Sequence, residues 1–105
     1  MGQPLVNMQD HKINASIQIV PLGGEEHYHT YFDAAIAVIQ QSGLKHMVSP
    51  METVIEGPKA KVMEVLEQAR EAALSAGAIE LLVNIKLHLK GNEDVTFEEK
   101  IEKFN

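Results

Sequence analysis

Two carboxylates pose the first chemical question. Glu52 and Glu56 lie four residues apart in Pro50-Met51-Glu52-Thr53-Val54-Ile55-Glu56-Gly57-Pro58. The β-branched run Thr53, Val54, Ile55 predicts a strand there. Alternate residues of an extended chain share a side, so Glu52, Val54 and Glu56 fall together and Met51, Thr53 and Ile55 oppose them. The phase that turns Met51, Thr53 and Ile55 toward a core buries more apolar area and leaves both carboxylates on the open side. There they are either part of a solvated sheet face or, at Glu56, a receiver for something cationic.

Other reactive groups are sparse. His27 and His29 sit in a polar loop, but two histidines fall short of the four ligands of a zinc site, so no metal is expected. Cysteine is absent, which removes disulfides, thiolate metal sites and cysteine nucleophiles. No serine stands in a nucleophile-elbow pattern, and no glycine-rich phosphate loop is present. His46 and His88 read as strand residues on a surface or interface. No catalytic constellation emerges, and the expectation is a binding protein without a cofactor.

The chemistry must be held by one small domain. The chain has 105 residues, 45% of them hydrophobic, which fits a single two-layer core and argues against disorder. Its 9 basic and 15 acidic residues give a net charge of −6 with no basic cluster, the wrong footprint for nucleic acid. The longest apolar run, Ala34 to Ile39, is too short to cross a bilayer, and Met1 to Lys12 lacks the pattern of a signal peptide. A soluble, cytoplasmic protein is expected, and a domain this small often gains from oligomerisation.

Periodicity then supplies the elements. Residues 1–12 read as a flexible lead-in and 13–105 as the domain. Asn14 to Pro21 alternates as a strand, with Ala15, Ile17 and Ile19 on one side and Asn14, Ser16, Gln18 and Val20 on the other. A helix from about Tyr31 to Ser42 carries the stripe Phe32, Ala35, Ile36, Ile39, opened by Thr30 with Asp33 and closed by Gly43. Leu44 to Ser49 is a second strand, and the short join at Pro50 pairs it antiparallel with the third. Pro58 opens a helix whose stripe is Val62, Val65, Leu66, Ala69, Ala73 and Ala76, ended by Gly77. Ile79 to Lys90 is the fourth strand, and Thr96 with Glu99 caps a short terminal helix bearing Phe97, Ile101 and Phe104.

The order β-α-β-β-α-β implies an α+β, ferredoxin-like sandwich: a four-stranded antiparallel sheet in the order 4-1-3-2 with two helices on one face. The other face then gathers Ser16, Gln18 and Val20, Glu52, Val54 and Glu56, and Leu82, Asn84, Lys86 and His88. Three readings of that face stand: a solvated surface, a subunit interface, or a small-molecule site built on rigid strands.

Three segments carry a family resemblance. Ala15-Ser16-Ile17-Gln18-Ile19-Val20-Pro21, then Ala35-Ile36 with Ser42-Gly43-Leu44, then Thr53-x-Ile55-Glu56-Gly57 resemble the thiamine-binding protein family, the YkoF-like group. The resemblance spans about Asn14 to Lys90. It implies a ferredoxin-like subunit assembled into dimers or tetramers through its sheets. It also implies non-enzymatic binding of thiamine or its hydroxymethylpyrimidine part, as carrier, buffer or sensor. By position, Ser16 and Gln18 match the strand-one motif and Thr53 and Glu56 the strand-three motif; Ile79-Glu80 and Leu87-His88 depart from the pattern and leave room for a related ligand. Amides such as Gln18 and Asn84 suit an aminopyrimidine, which both donates and accepts. The alternative is a regulatory small-molecule-sensing or protein-interaction module of the same fold, using the Phe97, Ile101, Phe104 stripe.

Overall fold

A computed structural model describes residues 11–104. Its elements are β1 (Lys12–Pro21), α1 (Tyr28–Gln41), β2 (Lys45–Val48), β3 (Thr53–Pro58), α2 (Lys59–Ser75), β4 (Leu81–His88) and α3 (Phe97–Ile101). The sheet order is β2-β3-β1-β4, every pairing antiparallel, which is the expected 4-1-3-2 order read from the other edge. Most of the expected lead-in, residues 1–10, lies outside the described residues. His11 and Lys12 belong to the fold: Lys12 starts β1, and its N–H donates to Asp94 Oδ1 at 2.8 Å.

The alternation of β1 sets the two layers. Ile13, Ala15 and Ile17 face the helices with Ile55 of β3, and they meet Tyr31, Ala35 and Ile39 of α1 and Val62, Val65, Leu66, Ala69 and Ala73 of α2. Val62, Val65 and Ala69 are fully buried; burial of each valine is worth about 1.5–3 kcal/mol. The expected α2 stripe is therefore the one that packs, except that Ala76 is only partly buried. Both helices end on a glycine at positive φ, Gly43 at 78° and Gly77 at 112°, a conformation that costs a side-chain-bearing residue more.

Several boundaries differ from expectation. The 3₁₀ turn Glu25–His27 runs straight into α1, so the helix starts at Tyr28, and Thr30 lies inside it and caps nothing. His27 is the N-cap and makes no side-chain cap. Tyr31, not Phe32, is the buried aromatic on α1. Pro50, Met51 and Glu52 form the β2–β3 turn instead of starting the third strand. Ser49 Oγ bonds Glu52 O and accepts from Glu52 N at 3.3 Å, so the ladder begins at Thr53. Pro58 is the N-cap of α2, still extended at ψ 138°. β4 spans Leu81–His88, without Ile79 and Glu80 at its start or Leu89 and Lys90 at its end.

The helices sit over β1 and β3, so Ile85, Leu87 and Leu89, on the helix side of the edge strand or just past it, stay 42–44% exposed. No helix among the described residues is long and apolar enough to cross a membrane.

Candidate functional site

The register writes the uncovered face as rows across the sheet. Lys45, Glu56, Asn14 and His88 form one row; Met47, Val54, Ser16 and Lys86 form the next; Gln18 and Asn84 pair beyond them. The C-terminal segment crosses the first row. Val95 is fully buried, and its N–H donates to Lys12 O at 3.0 Å. Thr96 then caps α3 in a capping box with Glu99, as the Thr-x-x-Glu spacing predicts.

Glu56 is the anchor beneath this strap. Only 5% exposed, its Oε1 accepts from Asn14 Nδ2 at 3.2 Å and from the Phe97 N–H. Lys45 Nζ lies 3.9 Å from Glu56 Oε2, pairs with Glu98, and stands 5.5 Å from the centre of the Phe97 ring. The hydrogen bond to Glu98, with the charges of Glu98 and Glu56, raises the Lys45 pKa, against a smaller lowering by burial. The Lys45 ammonium in turn holds the Glu98 carboxyl below the ordinary carboxylate range. Asp94 is lowered as well, chiefly by the Lys12 backbone N–H and secondarily by His11.

Beside the strap lies a groove of about 610 Å³. Asn14, Ser16 and Val54 make its floor, Phe97 and Ile101 one wall, and Met47, Glu52, Lys86 and His88 its rim. Two atoms on the floor are chemically unfinished. Asn14 Oδ1 and Ser16 Oγ are buried and have no hydrogen-bond partner. Asn14 spends both amide hydrogens, on Glu56 Oε1 and on Val95 O at 3.1 Å, so its orientation is fixed and its carbonyl is left over. A buried polar group without a partner costs about 1–3 kcal/mol, and native structures leave few of them without a reason. An acceptor and a hydroxyl in successive rows of one face are the groups needed by a ring that donates through an amine and accepts through a ring nitrogen.

A second cavity, about 310 Å³, opens on the other side of the sheet between α1 and the β2–β3 turn. Ile17, Phe32, Ile36, Ile39 and Val48 make it largely apolar, and Thr53 and Glu52 reach it. None of its lining side chains carries a buried polar atom without a partner.

The five residues singled out from sequence are thus divided. Ser16 stands on the open-face groove. Gln18 and Asn84 share that face but bond each other, Asn84 Nδ2 to Gln18 Oε1 at 3.0 Å. Glu56 points to the open face, as its strand phase predicts, yet its carboxylate is taken up by Asn14 and Phe97. Thr53 faces the helices, 7% exposed, on the second cavity. Asn14 and Phe97 were missed as site residues. The strand-one alternation already puts Asn14 on the polar side with Ser16; nothing local reveals that the chain returns at Val95 to claim its amide. His27 and His29 are exposed at the start of α1, and no group of three or more His, Cys, Asp or Glu among the described residues could hold a metal ion.

Comparison with known proteins assigns the chain to a family. It is 31% identical over 91 residues to a UPF0045 protein of Clostridium perfringens, covering 87% of this chain and 95% of that protein. It is 29% identical over 96 residues to the UPF0045 protein YqgV of Bacillus subtilis, covering 87% and 92%. Among solved structures, a DUF77 domain from Bacillus cereus superposes with a TM-score of 0.86 at 33% identity, covering 94% of this chain and 95% of that one. A Thermotoga maritima protein proposed to act in thiamine biosynthesis or salvage superposes with a TM-score of 0.79 at 26% identity, covering 90% and 99%. The model of the thiamine-binding protein family matches residues 15–105, and the chain belongs to that family.

Proposed function

We propose that this chain is a non-enzymatic binder of thiamine or its hydroxymethylpyrimidine part, held in the open-face groove. The observation that carries the reading is the pair of unpartnered buried atoms, Asn14 Oδ1 and Ser16 Oγ, on the groove floor. Asn14 Oδ1 accepts from the exocyclic amine, Ser16 Oγ donates to the adjacent ring nitrogen, and the ring lies along Phe97. Glu56 acts through Asn14 as a positioning residue. Gln18 and Asn84 share the open face and bond each other, outside the residues that line the groove, and Thr53 supports β3 from the helix side. Family membership and the Thermotoga neighbour support a thiamine-related ligand.

The role is that of a cytoplasmic carrier, buffer or sensor, working as a homo-oligomer. The exposed apolar residues on edge strand β4 support assembly, because a bare apolar edge invites a second strand. Of the stripe on which the protein-interaction reading rests, Phe97 docks on its own subunit through its N–H to Glu56, while Ile101 and Phe104 stay 48% and 77% exposed, so that reading stands as the alternative. Titration calorimetry with hydroxymethylpyrimidine and with thiamine tests the proposal on wild type and Ser16→Ala. Saturable binding weakened by the substitution supports it. No heat with either compound at millimolar concentration removes it.

A further inference from the structure

The two atoms that the groove offers a ligand are shut away. Asn14 and Ser16 line it, yet Asn14 Oδ1 and Ser16 Oγ are themselves closed to solvent. A ligand reaches them only after something above the floor moves. The C-terminal segment crosses the Asn14 row, and its Phe97, Glu98, Lys100 and Ile101 form the side of the groove that is not sheet.

That segment is held firmly at one end and loosely at the other. At its start, Asp94 accepts from the Lys12 N–H, and the fully buried Val95 donates to Lys12 O and accepts from Asn14 Nδ2. The Phe97 N–H, on Glu56 Oε1, marks the boundary. Beyond it no residue of α3 is buried. The ion pairs of Glu98 with Lys45 and of Glu99 with Lys90 join side chains 38–61% exposed, and pairs of that kind hold weakly. Lys45 makes the central tie. Its Nζ pairs with Glu98 of α3, lies 3.9 Å from Glu56 Oε2 on β3, and stands 5.5 Å from the centre of the Phe97 ring.

We propose that α3 is a lid on the groove that turns about Val95–Thr96, and that Lys45 is the latch that holds it shut. Only the ligand's identity rests on the aminopyrimidine reading; the lid is a property of the free protein. When the latch lets go, Phe97 and Ile101 lift from the floor and Asn14 keeps its amide on Val95 O. Asn14 Oδ1 and Ser16 Oγ then face solvent. Closure over a flat ring returns Phe97 to the face of that ring. The open form need be only a minor population, and segments that bury little apolar surface are those that open locally at low cost.

The chain has no cysteine, so Ser16→Cys sets a lone thiol beneath the lid. Alkylation by iodoacetamide, an uncharged reagent, reads its exposure in ligand-free protein. The expected rate is slow, and Lys45→Met raises it roughly two- to fivefold, the range of an exposed ion pair. High salt raises it as well. Lys61→Met, which removes an ion pair with Glu64 on the far layer, leaves it unchanged. Loss of an ammonium by itself raises a thiol pKa and slows alkylation, so acceleration reports access. On chains that keep Ser16, hydroxymethylpyrimidine should associate faster with Lys45→Met by the same factor, and this reading stands if the thiol variant does not fold. A rate equal to that of a free thiol, one indifferent to both Lys45→Met and salt, or one that tracks global unfolding in urea overturns the lid. Latch-dependent alkylation in a protein whose wild type binds no hydroxymethylpyrimidine upholds the lid and removes the ligand reading.

Discussion

Replacing Ser16 by alanine should move stability and affinity in opposite directions. Ser16 is 8% exposed, and its hydroxyl has no partner. An unpaired buried hydroxyl costs about 1–3 kcal/mol, so its removal returns part of that. The Ser16 side chain faces Val54 and Lys86 across the ladders, and the alanine methyl introduces no clash that the serine did not already make. Alanine's poorer strand propensity subtracts a few tenths of a kcal/mol. The net expectation is a gain of about 0.5–1 kcal/mol, a rise of roughly 2–8 °C in Tm for a domain of this size. The same hydroxyl is spent on the ligand, and losing one neutral hydrogen bond of about 0.5–1.5 kcal/mol weakens binding roughly 2- to 12-fold. Urea unfolding and calorimetry on one preparation read both quantities. A variant that is less stable, or that binds hydroxymethylpyrimidine as wild type does, refutes the assignment of Ser16 as a strained, ligand-directed group.

Further outcomes follow from the strap and the sheet edge. Glu56→Gln keeps the shape but not the charge, so the bonds to Asn14 and Phe97 weaken; urea unfolding should show a loss of about 2 kcal/mol, and pyrimidine affinity should fall with it because Asn14 loses its anchor. Asp94 and Glu98 have lowered pKa values in the fold, so their contribution is present above the ordinary carboxylate range and is lost as pH falls through that range to the lower folded values. The protection of the Val95 amide relative to its intrinsic exchange rate should therefore fall below about pH 4 before that of the β1–β3 ladder does. Ile85→Lys on the β4 edge should lower the mass seen by light scattering to that of the single chain, with pyrimidine affinity per chain read in parallel. Phe97→Ala removes the ring wall and should cost about tenfold in affinity, given roughly 0.5–1.5 kcal/mol for an aromatic pair plus lost burial.

Legibility from sequence tracked the range of the forces involved. The α2 stripe and the β1 alternation are local periodicities, and both survive as the core. The Thr96–Glu99 cap is a contact three residues long, and it forms. Thr30 failed as a cap because its fate depended on a 3₁₀ turn upstream, which polar residues 25–27 do not advertise. Pro50 to Glu52 looked like strand because Met51 continues the apolar alternation, yet the Ser49 hydroxyl closes a turn over them. Glu56 was placed on the correct face by its phase, but its partners lie at Asn14 and Phe97, about 40 residues away on either side. No pattern within a strand reports that a carboxylate is already claimed by a distant backbone N–H. Asn14 became the more informative residue for the same reason: only the return of Val95 fixes its amide and frees its carbonyl.

The most direct measurement is a crystal structure grown with hydroxymethylpyrimidine. The ring is predicted along Phe97 in the open-face groove, its amine about 3 Å from Asn14 Oδ1 and its neighbouring nitrogen on Ser16 Oγ. Density for the ring in the cavity between Phe32 and Thr53, with the groove holding only solvent, would contradict it.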